Sequence, residues 1–321
     1  MGHTIAEKIL SAHAGGQPVN PGDIVMTDLD LVVDLDIVFG ITGGHQSPAK
    51  VFDPDKIAVV ADHTVPAPSI AAANAMARMR RFVEKFGIEK FYAEGRHGIA
   101  HVVLAEDGLA LPGMTLACDD SHSCSSGALN CLARGLGLAD MMYALCKGQA
   151  WYMVGPTVKF ILDGELRERV YPRDILHHIA DRHGAFPGRN LEWDGEAVAA
   201  MPMQGRFTLA TLSAELSCEF PLFRHDAVTA AYLDGRAAKP YEPVDPDPTR
   251  ITRRRSASMS APWSRWSCSR TRWRTTPSRR AIWLAPGSIR PSSGPAPTGG
   301  SRISPSPPTS CAAGRWPPAC A

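Results

Sequence analysis

A layered α/β/α domain is the fold class the sequence predicts, on three observations. Short apolar runs such as Lys56–Ala61 and Val158–Leu162 alternate with longer segments of helical period. Several of these runs end at once in a polar turn carrying Asp, His or Gly, as strands of a parallel sheet do at their carboxyl ends. The chain has 321 residues, 44% of them hydrophobic, enough for one large domain or two smaller ones with real cores.

The elements follow in order. Residues 4–20 read as an opening helix through Ile5-Ala6-Glu7-Lys8-Ile9-Leu10, stopped by Gly15-Gly16. Asp28 to Phe39, with Val32, Val33, Ile37 and Val38 between acidic residues, reads as a strand. Thr42 to Pro48 is a glycine-rich turn without phosphate-loop spacing, and neither His45 nor Gln46 is given a role. Lys56–Ala61 is a buried strand ending in Asp62-His63. Ser69 is placed as the N-cap of a helix that runs to Phe86 and stops at Gly87. Its Arg78, Arg80 and Arg81 read as a solvated face. Phe91-Tyr92 and His101–Leu104 are predicted as short strands. Leu116 to Leu129 reads as strand, polar turn and helix, with helical pattern from Gly127 to Tyr152. A strand at Val158–Leu162, a turn at Asp163-Gly164 and a helix from Pro172 to Arg182 follow.

Composition excludes several classes. No run of 18 or more apolar residues is present, so no membrane span is expected. The start, Met1-Gly2-His3-Thr4, lacks the pattern of a signal peptide, and the eight cysteines lack secretory spacing; a cytoplasmic protein is expected. The net charge of +2 hides an asymmetry: residues 251–321 hold twelve Arg and no Lys, Asp or Glu, leaving 22 basic against 32 acidic residues in 1–250.

Two stretches carry chemistry. In Leu116-Ala117-Cys118-Asp119-Asp120-Ser121-His122-Ser123 two carboxylates, a hydroxyl and an imidazole arrive within four residues. A carboxylate beside an imidazole fixes its tautomer and favours its charged form, and Ser121 can hydrogen-bond a substrate carboxylate. Taken alone, a turn that caps the next helix is the stronger reading. Asp62-His63 repeats the pairing at another strand end, with a capped turn and a surface histidine as its plain alternative.

The wider pattern favours a functional reading. Val60-Ala61-Asp62-His63-Thr64-Val65-Pro66-Ala67, Gly98-Ile99-Ala100-His101, Leu111-Pro112-Gly113-Met114-Thr115, the Asp120-Ser121-His122 stretch and Gln204-Gly205-Arg206-Phe207-Thr208 occur in an order that resembles the aconitase and 3-isopropylmalate dehydratase family. The resemblance runs from about Met1 to Arg250 and is nearest to the separate large subunit of the isopropylmalate and homoaconitate type. It implies an aconitase-type α/β domain over residues 1–250, incomplete relative to the family. It also implies a hydro-lyase that isomerises a 2-hydroxy di- or tricarboxylic acid by dehydration and rehydration. His63 and His122 would then lie near the substrate hydroxyl, with Asp62 and Asp120 orienting them. Glu215, in Leu212-Ser213-Ala214-Glu215, matches a family glutamate near substrate, against the plain reading of a helix-surface residue. The match at His101 is compatible with a structural role. Thr211 stands where an asparagine is common and is assigned nothing.

By the same resemblance the hydroxide leaves onto a [4Fe–4S] cluster held by three cysteines, from a Gly-x-Cys-Thr-Asn segment and a later Cys-x-x-Cys. Neither segment exists in this chain, so no residue is assigned as a metal ligand. Cys118 and Cys124 are read as small turn residues and Cys131 as core; Cys268, Cys311 and Cys320 fall in the tail. The family's base is a serine on a swivelling domain that belongs here to a small subunit, and that subunit is the expected partner. Isopropylmalate, homocitrate-type acids, dimethylmalate and specialised-metabolite analogues all fit these motifs.

Residues 251–321 are an Arg/Ser/Pro/Trp-rich tail with five Trp, expected to be irregular and disordered. Reading the third base of each codon with the first two of the next allows Ala-Leu-Glu-Pro-Met across Ala261–Trp266. The same shift allows a Cys-Thr-Asn segment across Pro291–Gly300. A frameshift near Arg250 is therefore expected, in the gene or in its sequencing, and the chain as written is expected to be inactive. The competing reading is a non-catalytic homologue whose basic tail binds RNA. Otherwise no nucleic-acid or membrane partner is expected.

Overall fold

The computed structural model describes residues 2–40, 48–164, 166 and 168–248, and the backbone of residues 253–258. Helix α1 (Ile5–His13) opens at a reciprocal cap, in which Glu7 N donates to Thr4 Oγ1 at 3.2 Å and Thr4 N donates to Glu7 Oε2 at 2.9 Å. Strands β1 (Ile24–Asp28) and β2 (Leu31–Leu35) follow, then the short helix α2 (Asp36–Gly40). The expected strand across Asp28–Phe39 is therefore corrected: it ends at Leu35, because the chain turns into α2 there. Strand β3 (Ile57–Val60), helix α3 (Ile70–Phe86) and strand β4 (Lys90–Tyr92) match the sequence reading. Ser69 Oγ accepts Ala72 N at 3.2 Å at the start of α3, and Gly87 ends it at φ +67°.

Two expectations fail next. His101–Leu104 lies in helix α4 (Ala100–Glu106), not in a strand. Ala100, Leu104 and Ala105 bury one face of that helix, and Asp62 Oδ2 accepts Ala100 N at 2.7 Å at its first turn. After β5 (Thr115–Cys118), the helical stretch expected over 127–152 is several elements. A 3₁₀ helix at Ser121–Leu129 ends at Asn130, whose φ is +62°. Strand β6 (Leu132–Gly135), helix α5 (Leu138–Lys147) and strand β7 (Gln149–Met153) then follow.

Strand β8 (Thr157–Asp163) and helix α6 (Pro172–His183) match the sequence reading; β9 (Asn190–Asp194), α7 (Glu196–Ala199), α8 (Met203–Leu212), a 3₁₀ turn at Ser213–Leu216, β10 (Pro221–Phe223), α9 (Ala227–Leu233) and β11 (Arg253–Ser258) complete the order, and β11 corrects the expectation of an irregular chain from 251 onward. Strand β11 carries regular backbone past the expected boundary at 250, pairing in parallel with β8 from Arg253↔Val158 to Ser258↔Asp163. A ladder needs only main-chain groups, so a strand forms there without an apolar pattern. The remainder of the tail, and the glycine-rich turn with His45 and Gln46, lie outside the described residues.

The main sheet has the order β4-β3-β2-β5-β6 and every pairing in it is parallel. Its strands bury both faces. Leu31, Val33, Leu35, Ala58 and Val60 point into one core cluster, while Val32, Ile57, Val59 and Ala117 point into another with residues of α1, α3 and α5. Each such fully buried Val, Leu or Ile contributes about 2 kcal/mol. The first cluster is shared with α4 and with Phe160 and Trp193 of a second parallel sheet, ordered β10-β9-β8-β11. A two-stranded antiparallel ribbon, β1 with β7, completes the sheets. Among the described residues no helix is long and apolar enough to cross a membrane.

Arg206, in one of the motif segments, is fully buried. It donates through Nη1 and Nη2 to both oxygens of Asp226, at 2.8 and 2.6 Å, and through Nη2 to Val198 O at 3.1 Å. Asp226 in turn caps α9 by accepting Val228 N and Thr229 N. That motif position is a tie between α8, α7 and α9 rather than a group at the site.

Candidate active site

The order of the main sheet decides where a site can form. The chain runs from β2 outward to β3 and β4, then returns past β2 to β5 and β6, so the crevice at the carboxyl ends of β2 and β5 is the switch point of the sheet. Three turns enter it: Asp36 after β2, Asp62-His63 after β3, and Asp119 to His122 after β5.

Asp120 lies at the centre. Its Oδ1 accepts His122 N at 2.7 Å, which caps the 3₁₀ helix, and accepts His101 Nε2 at 3.1 Å. His122 Nδ1 lies 3.5 Å from the same oxygen, and His63 Nε2 lies 3.8 Å from Oδ2. His122 Nε2 donates to Glu215 Oε1 at 3.2 Å. The hydrogen bond from His101, then that from His122 N, holds the Asp120 carboxyl down at about 2 against the opposing effect of burial. It is therefore ionised across the physiological range and faces three imidazoles.

His63 and His122 are about 40% and 36% exposed, so both present ring edges to the crevice while carboxylates support them from below. Glu215, on the 3₁₀ turn after α8, is 68% exposed. Ser121 is exposed at the first position of the 3₁₀ helix, between Asp120 and His122. The two histidine turns expected to converge do so on Asp120, with Asp62 beside His63 and Glu215 beside His122.

Three further side chains shape the crevice without having been singled out as site residues. His101, from α4, supplies a second hydrogen bond to Asp120 Oδ1. Asp36, almost fully buried, faces the Asp62-His63 turn. Asp119 accepts Leu35 N on β2, and burial together with nearby Asp34 pushes its carboxyl up to about 8, so it is protonated at neutral pH. The matched Gly98-Ile99-Ala100-His101 segment pointed to His101, and Asp119 was one of the two carboxylates of the polar stretch after β5; Asp36 gave no periodic or motif signal.

Four of the five described cysteines, Cys118, Cys124, Cys131 and Cys218, do not fit an iron–sulfur cluster. Cluster ligands are thiolates, whereas burial pushes the thiols of Cys118, Cys124, Cys131 and Cys218 up, that of Cys124 to about 12. Cys124 Sγ donates to Ala210 O at 3.3 Å, a satisfied core contact. Cys118 is the last residue of β5 and Cys124 lies inside the 3₁₀ helix, so neither is the turn residue expected. Cys131 is core, as its sequence position implied. Among the described residues no group of three His, Cys, Asp or Glu is arranged to hold a metal ion.

Comparison with known proteins was informative at this point. A family model described as the aconitase family (aconitate hydratase) matches residues 7–255. The 3-isopropylmalate dehydratase large subunit of Mycolicibacterium smegmatis is 43% identical over 248 residues, covering 77% of this chain and 58% of that protein. The proteins of the same name from Caldanaerobacter subterraneus and Aquifex aeolicus are 37% and 36% identical, again over 77% of this chain. The chain spans 58–60% of the length of these curated relatives.

Proposed function

This chain belongs to the aconitase family, and from that premise we propose that it is the substrate-activating part of a hydro-lyase large subunit of the 3-isopropylmalate dehydratase type, and that the polypeptide as written is not itself catalytic. The observation that carries the first half is the meeting of His63 and His122 over one ionised Asp120 at the switch point of a parallel sheet.

Hydroxide is a poor leaving group, so dehydration of a 2-hydroxy acid requires protonation as the C–O bond breaks. His63 and His122 are the proton carriers, each partly exposed and backed by a carboxylate. Asp120, Asp62 and Glu215 hold the two rings in place. Ser121 hydrogen-bonds a substrate carboxylate. The family's base on the neighbouring carbon belongs to a small subunit, which is the partner this reading requires.

The second half rests on the cysteines. With the thiols of Cys118, Cys124, Cys131 and Cys218 held neutral by burial, this chain offers no described ligand set for the [4Fe–4S] cluster of its family. Acid catalysis from two histidines contributes about 10²–10⁴-fold, short of the roughly 10⁶-fold or more of typical enzymes. A frameshift near Arg250 accounts for the missing cysteine segments. The test compares this chain with one whose frame is restored after codon 250, each co-expressed with the small subunit and treated with iron and sulfide. Only the restored protein should gain cluster absorbance and hydratase activity toward 3-isopropylmalate or a related hydroxy acid. Turnover by the chain as written would overturn the proposal, as would a restored protein that takes up no cluster.

A further inference from the structure

We propose that Asp36 is the positioning residue of the His63 turn, holding that imidazole in register with Asp120 from a neighbouring strand. The last residues of β2 deliver its carboxylate beneath the turn after β3, where it is 1% exposed. Four donors converge on it. Asp62 N and His63 N donate to Oδ1 at 3.3 and 3.0 Å, and Thr64 N and Thr64 Oγ1 donate to Oδ2 at 2.6 and 2.5 Å. Three successive backbone N–H groups that close on one anion form a nest.

The energetics argue for positioning rather than filling. Burying a carboxylate is costly unless its oxygens are paired, and an apolar residue would have packed the same space without that cost. These four hydrogen bonds all come from one turn, whose chemistry-bearing side chains are Asp62 and His63. Burial opposes ionisation, yet the bonds from Thr64 and His63 N outweigh it and hold the Asp36 carboxyl below the usual carboxylate range.

The ring is oriented as a consequence. His63 Nδ1 lies 3.7 Å from Asp36 Oδ1 and 3.9 Å from Asp62 Oδ1, while Nε2 lies 3.8 Å from Asp120 Oδ2. These three carboxylates are the charged groups facing the ring among the described residues. Asp62 also accepts Ala100 N through Oδ2 at the start of α4, and of the two carboxylates Asp36 is the nearer to Nδ1. The functional meaning of this orientation rests on the proposed role of His63, but the orientation itself is measurable without turnover.

The experiment uses ¹⁵N-labelled chain as written, with Asp36→Asn and Thr64→Val. In the parent, the Thr64 amide should be shifted downfield and slow to exchange, and the neutral fraction of His63 should carry its proton on Nδ1. Asp36→Asn presents an amide group where one acceptor oxygen stood. It should speed Thr64 amide exchange about tenfold or more, the equivalent of one lost hydrogen bond, and move the His63 proton toward Nε2. Signals of Ser123, in the other turn, should stay in place. Thr64→Val removes one bond only, and should shift the same signals in the same direction by a smaller amount. If Asp36→Asn unfolds the chain, Thr64→Val alone decides. Unchanged His63 tautomer and Thr64 exchange in the folded variants would overturn the proposal. Failure of the hydro-lyase reading would instead appear as an inactive frame-restored enzyme with these signals intact.

Discussion

The two histidine turns at the mouth of the main sheet reach the same crevice by opposite means. The turn at Asp120-Ser121-His122 is self-supporting: Asp120 accepts the amide of the residue two positions on, and Ser123 Oγ donates back to Asp120 O at 2.5 Å. The turn at Asp62-His63 is supported from outside, on the carboxylate of Asp36 26 residues earlier. The difference teaches which contacts a sequence can display. A turn that folds on itself writes its reason into adjacent residues, and one hung on another strand does not.

The comparison can be broken most forcefully at Gly135. A Cβ there would stand 2.4 Å from Asp120 O and 2.9 Å from Ser121 Cα, so Gly135→Ala must displace the first turn. Denaturant unfolding should show a loss of about 3 kcal/mol, and amide shifts should concentrate at Asp120–Ser123 and spare Asp62–Thr64. Equal disturbance of both turns would show that they are not independently supported.

Asp119→Asn should act in the other direction. Burial, then Asp34, raises the folded carboxyl to about 8, above its unfolded value near 3.9. Between these values the unfolded chain is ionised and the folded chain is not, so the parent loses stability as pH rises from 4 to 8. The neutral variant should escape that loss and gain on the parent across the window. The relative gain should reach about 2–3 kcal/mol, since sharing of a proton with Asp34 softens the effect. Unfolding midpoints at pH 5 and pH 8 that move in parallel would refute it.

Asp120→Asn should cost about 2 kcal/mol at pH 7, the free energy of a carboxyl held about two units low. Its folded value of about 2 lies below the unfolded one. The stabilisation is therefore complete above pH 4 and fades as pH falls toward 2, where parent and variant should converge. A penalty that persists undiminished at pH 2 would point to packing instead. The smallest effect belongs to Glu215→Gln. That carboxylate is 68% exposed, so stability should change by less than about 0.5 kcal/mol, while the His122 ring resonances shift. Unmoved resonances would remove Glu215 from the site.

Legibility in the sequence followed the same division. Strands β3 and β8 and helices α1, α3 and α6 were readable because apolar period, Ser69 and Gly87 are local signals. Asp62-His63 and Asp120-Ser121-His122 were readable as contiguous polar turns after apolar runs, and Glu215 only through family resemblance. Helix α4 was misread because Val102 and Val103 look strand-like, while the carboxylate at its first turn, Asp62, sits 38 residues earlier. Strand β6 was missed because four residues do not interrupt a helical window. Asp36 was silent, and Asp119 was visible only as a carboxylate beside Asp120, since their partners belong to other strands and strand pairing is not written in either neighbourhood.

The ladder between β8 and β11 has a consequence for the gene. Its six paired positions engage main-chain atoms, which every codon except that of proline supplies in full. A deletion or insertion upstream of such a strand rewrites all of its side chains and still fills the sheet edge.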